Sequence, residues 1–310
     1  MANEQTVLVF GATGNTGASI VNGLLDSGRF KVIAAIRPAS KDKPEVIQLR
    51  TRRVEIRLAD LNAVDDTISE VFQGVDVVIS AAEWKTLPVQ KQLIDAAKQA
   101  GVKIFIPNDW ATPCVRGVRK LYDEKAVIHD YIKEVGIGYT FVDVGMWIQV
   151  AFAPAEKSKE KYPGQFDLWR TIIGKGDVKS AFTDIADIGV FVARIIADPR
   201  TLNEYVFCWG DEATKQEIFN IAEKFSGGKF EPIRMTIEEK EKIVEKSRAE
   251  GGVMEALHEY EYSYWVRGDN TIENAKKPEY GSALDARELY PDIKPRSLEE
   301  YAREFYGKAN

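Results

Sequence analysis

"VLVFGATGNTGASI" (residues 7–20) decides the fold of this chain. An apolar, β-branched run meets Gly11, Gly14 and Gly17, and a helical pattern starts directly behind them. A strand that turns into a helix through so little side chain brings backbone N–H groups to one point. The helix N-terminus there carries partial positive charge and unsatisfied donors, which suits a pyrophosphate. The spacing is GxxGxxG, not the more familiar GxGxxG, and a tight turn with no ligand is the plain alternative. Because the helix follows the strand without a gap, the stretch reads as a phosphate-binding turn. Thr13, Asn15 and Thr16 belong to it with the three glycines.

The same rhythm runs on to about residue 145. "KVIAAI" (31–36), "RVEIRL" (53–58), "VDVVIS" (75–80), "VKIFIP" (102–107) and "YTFVDV" (139–144) read as strands. Between them "EVIQLRT", "AVDDTISEVFQG", "PVQKQLIDAAKQAG" and "EKAVIHDYIKEVG" carry apolar residues at helical spacing. Apolar strands alternating with helices imply a parallel sheet covered on both faces. The fold class is therefore α/β, a Rossmann-type doubly wound parallel sheet, with a smaller α/β substrate-binding lobe.

Residues 1–145 form the dinucleotide-binding domain, to which part of 170–210 adds a strand and a helix; 146–310 form mainly the second lobe. In that lobe 184–199, 215–228, 236–250 and 297–308 read as helices and 203–210 as a strand. Ser297 and Glu300 have the spacing of a capping box. The lobe is expected to pack over the C-terminal ends of the sheet.

Composition narrows the function. A net charge of −6 and a pI near 5.3 disfavour a nucleic-acid partner, which needs a basic face. No apolar run is long enough to span a membrane, and the first residues lack the basic start of a signal peptide. Cys114 and Cys208, far apart, read as free thiols of a cytoplasmic protein. With His129 and His258 the only histidines, no metal site is expected.

The end of the second strand reads the adenosine ribose. An acid there accepts from the 2′-hydroxyl of NAD, whereas arginine pairs with the 2′-phosphate of NADP. This chain has Arg37, followed by Lys41 and Lys43, so NADPH or NADP is the expected cofactor. Asp60 and Leu61, closing the third strand, border the adenine. Ser80, Ala81 and Ala82, closing the fourth, leave room for the nicotinamide ribose.

Chemistry is sought on "LYDEKAVIHDYIKEVGIGYTFV" (121–142), where Tyr122, Lys125 and His129 share one helix face. A lysine turned into a desolvated cleft has a lowered pKa and can exchange a proton near neutrality. The bland reading is a solvated cation beside Asp123 and Glu124. His129 reads as a helix-surface or packing residue. Tyr122 and Lys125 have the spacing Tyr-x-x-Lys, not that of the Tyr-x-x-x-Lys dyad of the ordinary short-chain dehydrogenases.

"GATGNTG", "AAIRPAS", "GVDVVISAA", "LIDAAKQAGVKIFIP", "EKAVIHDYIKEVGIGYTFV", "GDVKSAFTDIADIGVFVARIIADPRTLN" and "LYPDIKPRSLEEYAREFY" occur in this order. Together they resemble the isoflavone reductase-like branch of the NmrA-like, atypical short-chain reductases, over about residues 6–306. That branch includes pinoresinol–lariciresinol and phenylcoumaran benzylic ether reductases.

The resemblance implies that Lys125, counted back from "GIGYT", handles a proton beside the nicotinamide, with Tyr122 or water as relay. The family's second basic residue is replaced by Val127, and its "PSEFG" by "PNDWA" (107–111). Asn108, Asp109 and Trp110 are then expected to line the substrate pocket. Met146, Trp147, Phe166 and Trp169 are candidate apolar walls, with core packing as their alternative.

The expected activity is NADPH-dependent reduction of a small aromatic or polyketide-like molecule at an enone, ketone or quinone-methide-like centre. The expected state is a monomer or homodimer. An NAD(P)-sensing regulator without turnover, or an NAD(P)H:quinone reductase, are the rival readings.

Overall fold

The computed structural model describes residues 4–62, 66–152 and 169–307. It divides into two compact units that interleave along the chain. The first holds the chain through Trp110, Glu124–Asp143 and Ile185–Val206. The second holds the described parts of Ala111–Asp123, Val144–Asp184 and Phe207–Asn310.

In the first unit the strands are β1 (Gln5–Phe10), β2 (Phe30–Ile36), β3 (Glu55–Leu58), β4 (Val77–Ser80), β5 (Ile104–Ile106) and β6 (Gly138–Asp143). The spatial order is β6-β5-β4-β1-β2-β3, all parallel, with Glu204–Phe207 beyond β6. That is the doubly wound order whose direction reverses between β1 and β4. Val7, Leu8, Val9, Ile33, Val77, Val78 and Ile79 are buried, as parallel strands covered on both faces must be.

Helices α1 (Asn15–Ser27), α2 (Pro44–Thr51), α3 (Gln90–Gln99), α4 (Lys120–Val135) and α5 (Ile185–Ile195) accompany the strands. Helix α1 ends on Gly28 at φ 63°, the left-handed cap that glycine adopts without penalty. Segment 63–74, read as helical from the sequence, instead carries a 3-10 turn over Asp66–Phe72. Ser69 within it is of the type whose side chain competes for the backbone and disfavours a regular helix.

The second unit holds more strand than its sequence suggests. Asp211–Thr214, Lys179–Thr183 and Met146–Trp147 form one small sheet, and Thr171–Ile173 pairs in parallel with Ile233–Met235. Each is too short to show a clear alternation. Helices α6 (Lys215–Ser226) and α7 (Ile237–Glu250) start with reciprocal capping boxes at Thr214–Glu217 and Thr236–Glu239. Helix α8 (Val253–Tyr262), not anticipated from the sequence, follows Gly251 and Gly252. The Ser297–Glu300 box opens α9 (Leu298–Gly307): Glu300 N–H donates to Ser297 Oγ at 3.2 Å and Ser297 N–H to Glu300 Oε2 at 2.9 Å. The core of this unit gathers Phe152, Phe182, Ile218, Trp265 and Tyr306. No helix of the described residues is long and apolar enough to cross a membrane.

Candidate active site

The glycine turn has two kinds of glycine. Gly11 sits at φ 73°, and a Cβ there would stand 2.2 Å from the carbonyl oxygen of Ala81, just past β4. A Cβ on Gly17 would stand 2.1 Å from the carbonyl oxygen of Gly11. The chain's own backbone therefore excludes side chains at 11 and 17. Gly14 differs. Its φ is −77°, and a Cβ would meet Gly11 oxygen only at 3.4 Å.

Nothing within the protein demands glycine at 14, and its bare face lies at the start of α1. Gly14 is the N-cap of that helix, which begins at Asn15, with Gly17 already inside its first turn. That turn has neither a side-chain cap nor an acidic residue. Its N–H groups have no intrahelical acceptor. The cradle fits the pyrophosphate of a dinucleotide at the reversal of strand order.

Around it, Thr13 and Asn15 are exposed and Thr16 is buried. Arg37 leaves β2 as the exposed N-cap of the Pro38–Ser40 turn, with Lys41 and Lys43 exposed beside it in sequence. Asp60 Oδ1 is occupied locally, accepting from Asn62 N–H at 2.9 Å, while Leu61 is buried. Ser80 is fully buried; Ala81 and Ala82 are half-buried, and Ala81 N–H donates to Phe10 oxygen at 2.9 Å. Turn and β4 end are thus tied together.

The segment after β5 is pinned at each residue. Asn108 N–H donates to Gln90 Oε1 at 2.9 Å and its Nδ2 to Ala82 oxygen at 2.8 Å. Asp109 N–H donates to Pro107 oxygen at 2.9 Å. Trp110 sits at φ 32°, a region costly for a bulky residue, with its indole N–H on Ser80 oxygen at 2.6 Å. Such strain persists where surroundings over-determine the backbone. Trp110 is buried, so its ring is a packed strut between the ends of β4 and β5.

Onto this turn α4 brings Lys125 and His129. Lys125 is 8% exposed, and its Nζ donates to the main-chain oxygen of Asp109. The solvated pairing with Asp123 does not form; Asp123 instead accepts from Gly117 N–H at 2.9 Å. His129 Nε2 lies 2.8 Å from Asp109 Oδ1, and its ring stacks on Phe141 at 3.8 Å and 16°. Phe141 and Tyr139, two apart on β6, point to the same face and stack at 4.4 Å.

Ser80 Oγ, Gln90 Nε2 and Asp109 Oδ2 are buried without a partner. Buried polar atoms are seldom left so, and these three gather on the segments that hold Asn108–Trp110. Gln90 and the pairing of His129 with Asp109 were not signalled by the sequence, beyond the helix face that His129 shares with Lys125.

The remaining candidates belong to the second unit. The Tyr122 ring lies 5.9 Å from the guanidinium of Arg119. Arg119 is buried, donating to Thr112 Oγ1 and oxygen, both at 2.8 Å, and standing 4.3 Å over Tyr260. Met146 and Trp147 are half-buried in their short strand, and Ser180 Oγ contacts Met146 Sδ at 3.7 Å. Trp169 is half-buried. Phe166 lies outside the described residues. Among the described residues no cluster of His, Cys, Asp or Glu has the makings of a metal site.

Residues 3–302 match the model of the NmrA-like family. The chain is 36% identical to the asnovolin J 5',6'-dehydrogenase of Aspergillus novofumigatus, over 96% of this chain and 94% of that protein. It is 30% identical to the phenylcoumaran benzylic ether reductase TP7 of Nicotiana tabacum, over 98% of this chain and 100% of that protein. Among solved structures, isoflavone reductase superposes with a TM-score of 0.81 at 25% identity, over 98% of this chain and 100% of that one. AtPrR2 with NADP+ and (+)pinoresinol superposes with a TM-score of 0.79 at 26% identity, over 98% and 100%.

Proposed function

The chain belongs to the NmrA-like family, and from that premise we propose that it is an NADPH-dependent reductase. Its substrate is a small aromatic or polyketide-like secondary metabolite with an enone, ketone or quinone-methide-like centre. The relatives named above, a dehydrogenase and reductases of secondary metabolites, support the oxidoreductase class. AtPrR2, which binds NADP+ and (+)pinoresinol, supports the cofactor and an aromatic substrate. The protein works in the cytosol, with Cys114 and Cys208 as buried thiols.

Bound NADPH supplies the hydride; this chain's residues hold and orient, and handle the proton. N–H groups at the start of α1 receive the pyrophosphate, and Arg37 offers a guanidinium fork to the 2′-phosphate. Ser80–Ala82 keep the far side of the cradle narrow. Lys125 Nζ gives its proton to the oxygen that gains charge as the substrate is reduced.

The observation that carries this reading is a buried amine held on a strained, over-pinned turn at the C-terminal end of β5. A protein that only senses the dinucleotide has no use for such an amine. Lys125→Ala should bind NADPH as before, while turnover with a panel of aromatic enones and benzylic ethers drops about 100-fold or more. Undiminished turnover removes Lys125 from the chemistry. NADPH binding without oxidation against the whole panel favours the sensing alternative.

A further inference from the structure

Helix α4 aims two basic groups at one residue. Lys125 takes the main-chain oxygen of Asp109, and His129, one turn on, takes its carboxylate at 2.8 Å. We infer that His129 is a positioning residue: by clamping the side chain of Asp109 it fixes the carbonyl that orients the Lys125 amine. The inference rests on the reading of Lys125 as the proton-handling group.

A lysine amine ends a flexible four-carbon stem and points reliably only when something rigid receives it. Here the receiver is a single peptide oxygen, so the amine is only as well placed as the Asp109 peptide. Asn108 and Trp110 on either side are held by Gln90, Ala82 and Ser80. Asp109 lies between them with a side chain that is 5% exposed. Among the described residues His129 is the partner of that carboxylate, and Oδ2 has none. Without His129 a buried carboxylate would lack any donor, a state relieved by turning toward water and taking the peptide with it.

His129 is itself fixed from behind. Its ring lies flat on Phe141, which stacks on Tyr139. A residue present for packing alone needs the ring and not the nitrogen. The short contact to a buried carboxylate, on the same face as Lys125, separates the two roles.

Three variants test this. His129→Phe keeps a flat ring on Phe141 and loses the nitrogen; His129→Gln restores a donor near the position of Nε2. Asp109→Asn keeps the main-chain oxygen and removes the charge, and carries the test if His129→Phe fails to fold. Two readouts are taken on full-length protein: turnover against pH, and NMR titration of the Lys125 amine in lysine-labelled protein, assigned with Lys125→Arg.

Positioning predicts that His129→Phe shifts the Lys125 titration and lowers kcat up to about 100-fold, the cost of misplacing a reacting group by about an ångström. KM for NADPH should stay within about twofold. His129→Gln should recover most of both, and Asp109→Asn should shift the Lys125 titration as well. An unchanged Lys125 titration in His129→Phe, or in Asp109→Asn where the first does not fold, overturns the inference. A shifted titration with turnover that survives Lys125→Ala leaves His129 as the positioner and sinks the chemical role of Lys125 instead.

Discussion

Gly23 of α1 and Gly189 of α5 meet backbone to backbone. A Cβ on Gly23 would stand 2.1 Å from Gly189 oxygen, and one on Gly189 would stand 1.9 Å from Ser19 oxygen. Ser19 Oγ completes the crossing, accepting from Gly189 N–H at 3.0 Å and donating to Ala186 oxygen at 3.3 Å. Gly189→Ala should therefore force the helices apart and cost about 2–3 kcal/mol or more, the range of severe overpacking. Urea denaturation measures it; a loss below about 0.5 kcal/mol would mean that the crossing relaxes freely.

The two kinds of glycine in the phosphate turn should separate under the same substitution. Gly17→Ala meets backbone at 2.1 Å and should lower stability. Gly14→Ala meets only ordinary contact at 3.4 Å, so its melting temperature should stay within a few degrees. Its NADPH affinity should nevertheless fall at least about tenfold, because the new methyl enters the cradle. Calorimetric titration of both variants checks the contrast.

Arg37→Ala should weaken NADPH about 10- to 100-fold while NADH changes little, since a charge-assisted hydrogen bond contributes about 1.5–3 kcal/mol. Fluorescence titration with the two cofactors reads it directly. Equal losses for both would take the guanidinium away from the 2′-phosphate.

Much of the fold is legible in the sequence. The parallel sheet of β1 to β6 follows from the strand–helix alternation, and the glycine turn from its spacing. The Ser297–Glu300 box follows from its spacing of three. Other features are products of tertiary contact. Gly23 and Gly189 are 166 positions apart and look like ordinary helix-weakening residues until α1 and α5 cross.

Nothing local says that the peptide oxygen and the carboxylate of Asp109 serve two residues of α4. The strained φ of Trp110 and its bond to Ser80 depend on the neighbouring strand. The small strands of the second unit were hidden by their length.

Lys215 gives a prediction tied to pH. It is buried at the start of α6, 5.4 Å from the Trp265 ring, and burial pushes its pKa down to about 8, with Glu261 partly offsetting. At neutral pH the ammonium is charged in both folded and unfolded chains, and the folded state bears the cost of hiding it. Between about 8 and the ordinary 10.5 the unfolded chain holds the proton that the folded one has lost, so stability rises with pH across that window. Lys215→Met should add up to about 3 kcal/mol at pH 7, and the gain should fade as the pH passes through that window. Guanidinium denaturation at pH 7 and pH 10 measures it; a pH-independent difference would mean that the amine is not responsible.

The interleaving of the two units sets a rule for anyone recombining this chain with its relatives. Neither unit is one contiguous stretch, because the polypeptide passes from one to the other at 110/111, 123/124, 143/144, 184/185 and 206/207. A truncation near residue 145 strips the first unit of α5, whose Gly189 seats α1, and of the strand beyond β6. Chimeras meant to exchange one unit and retain the other must therefore be spliced at each of those junctions.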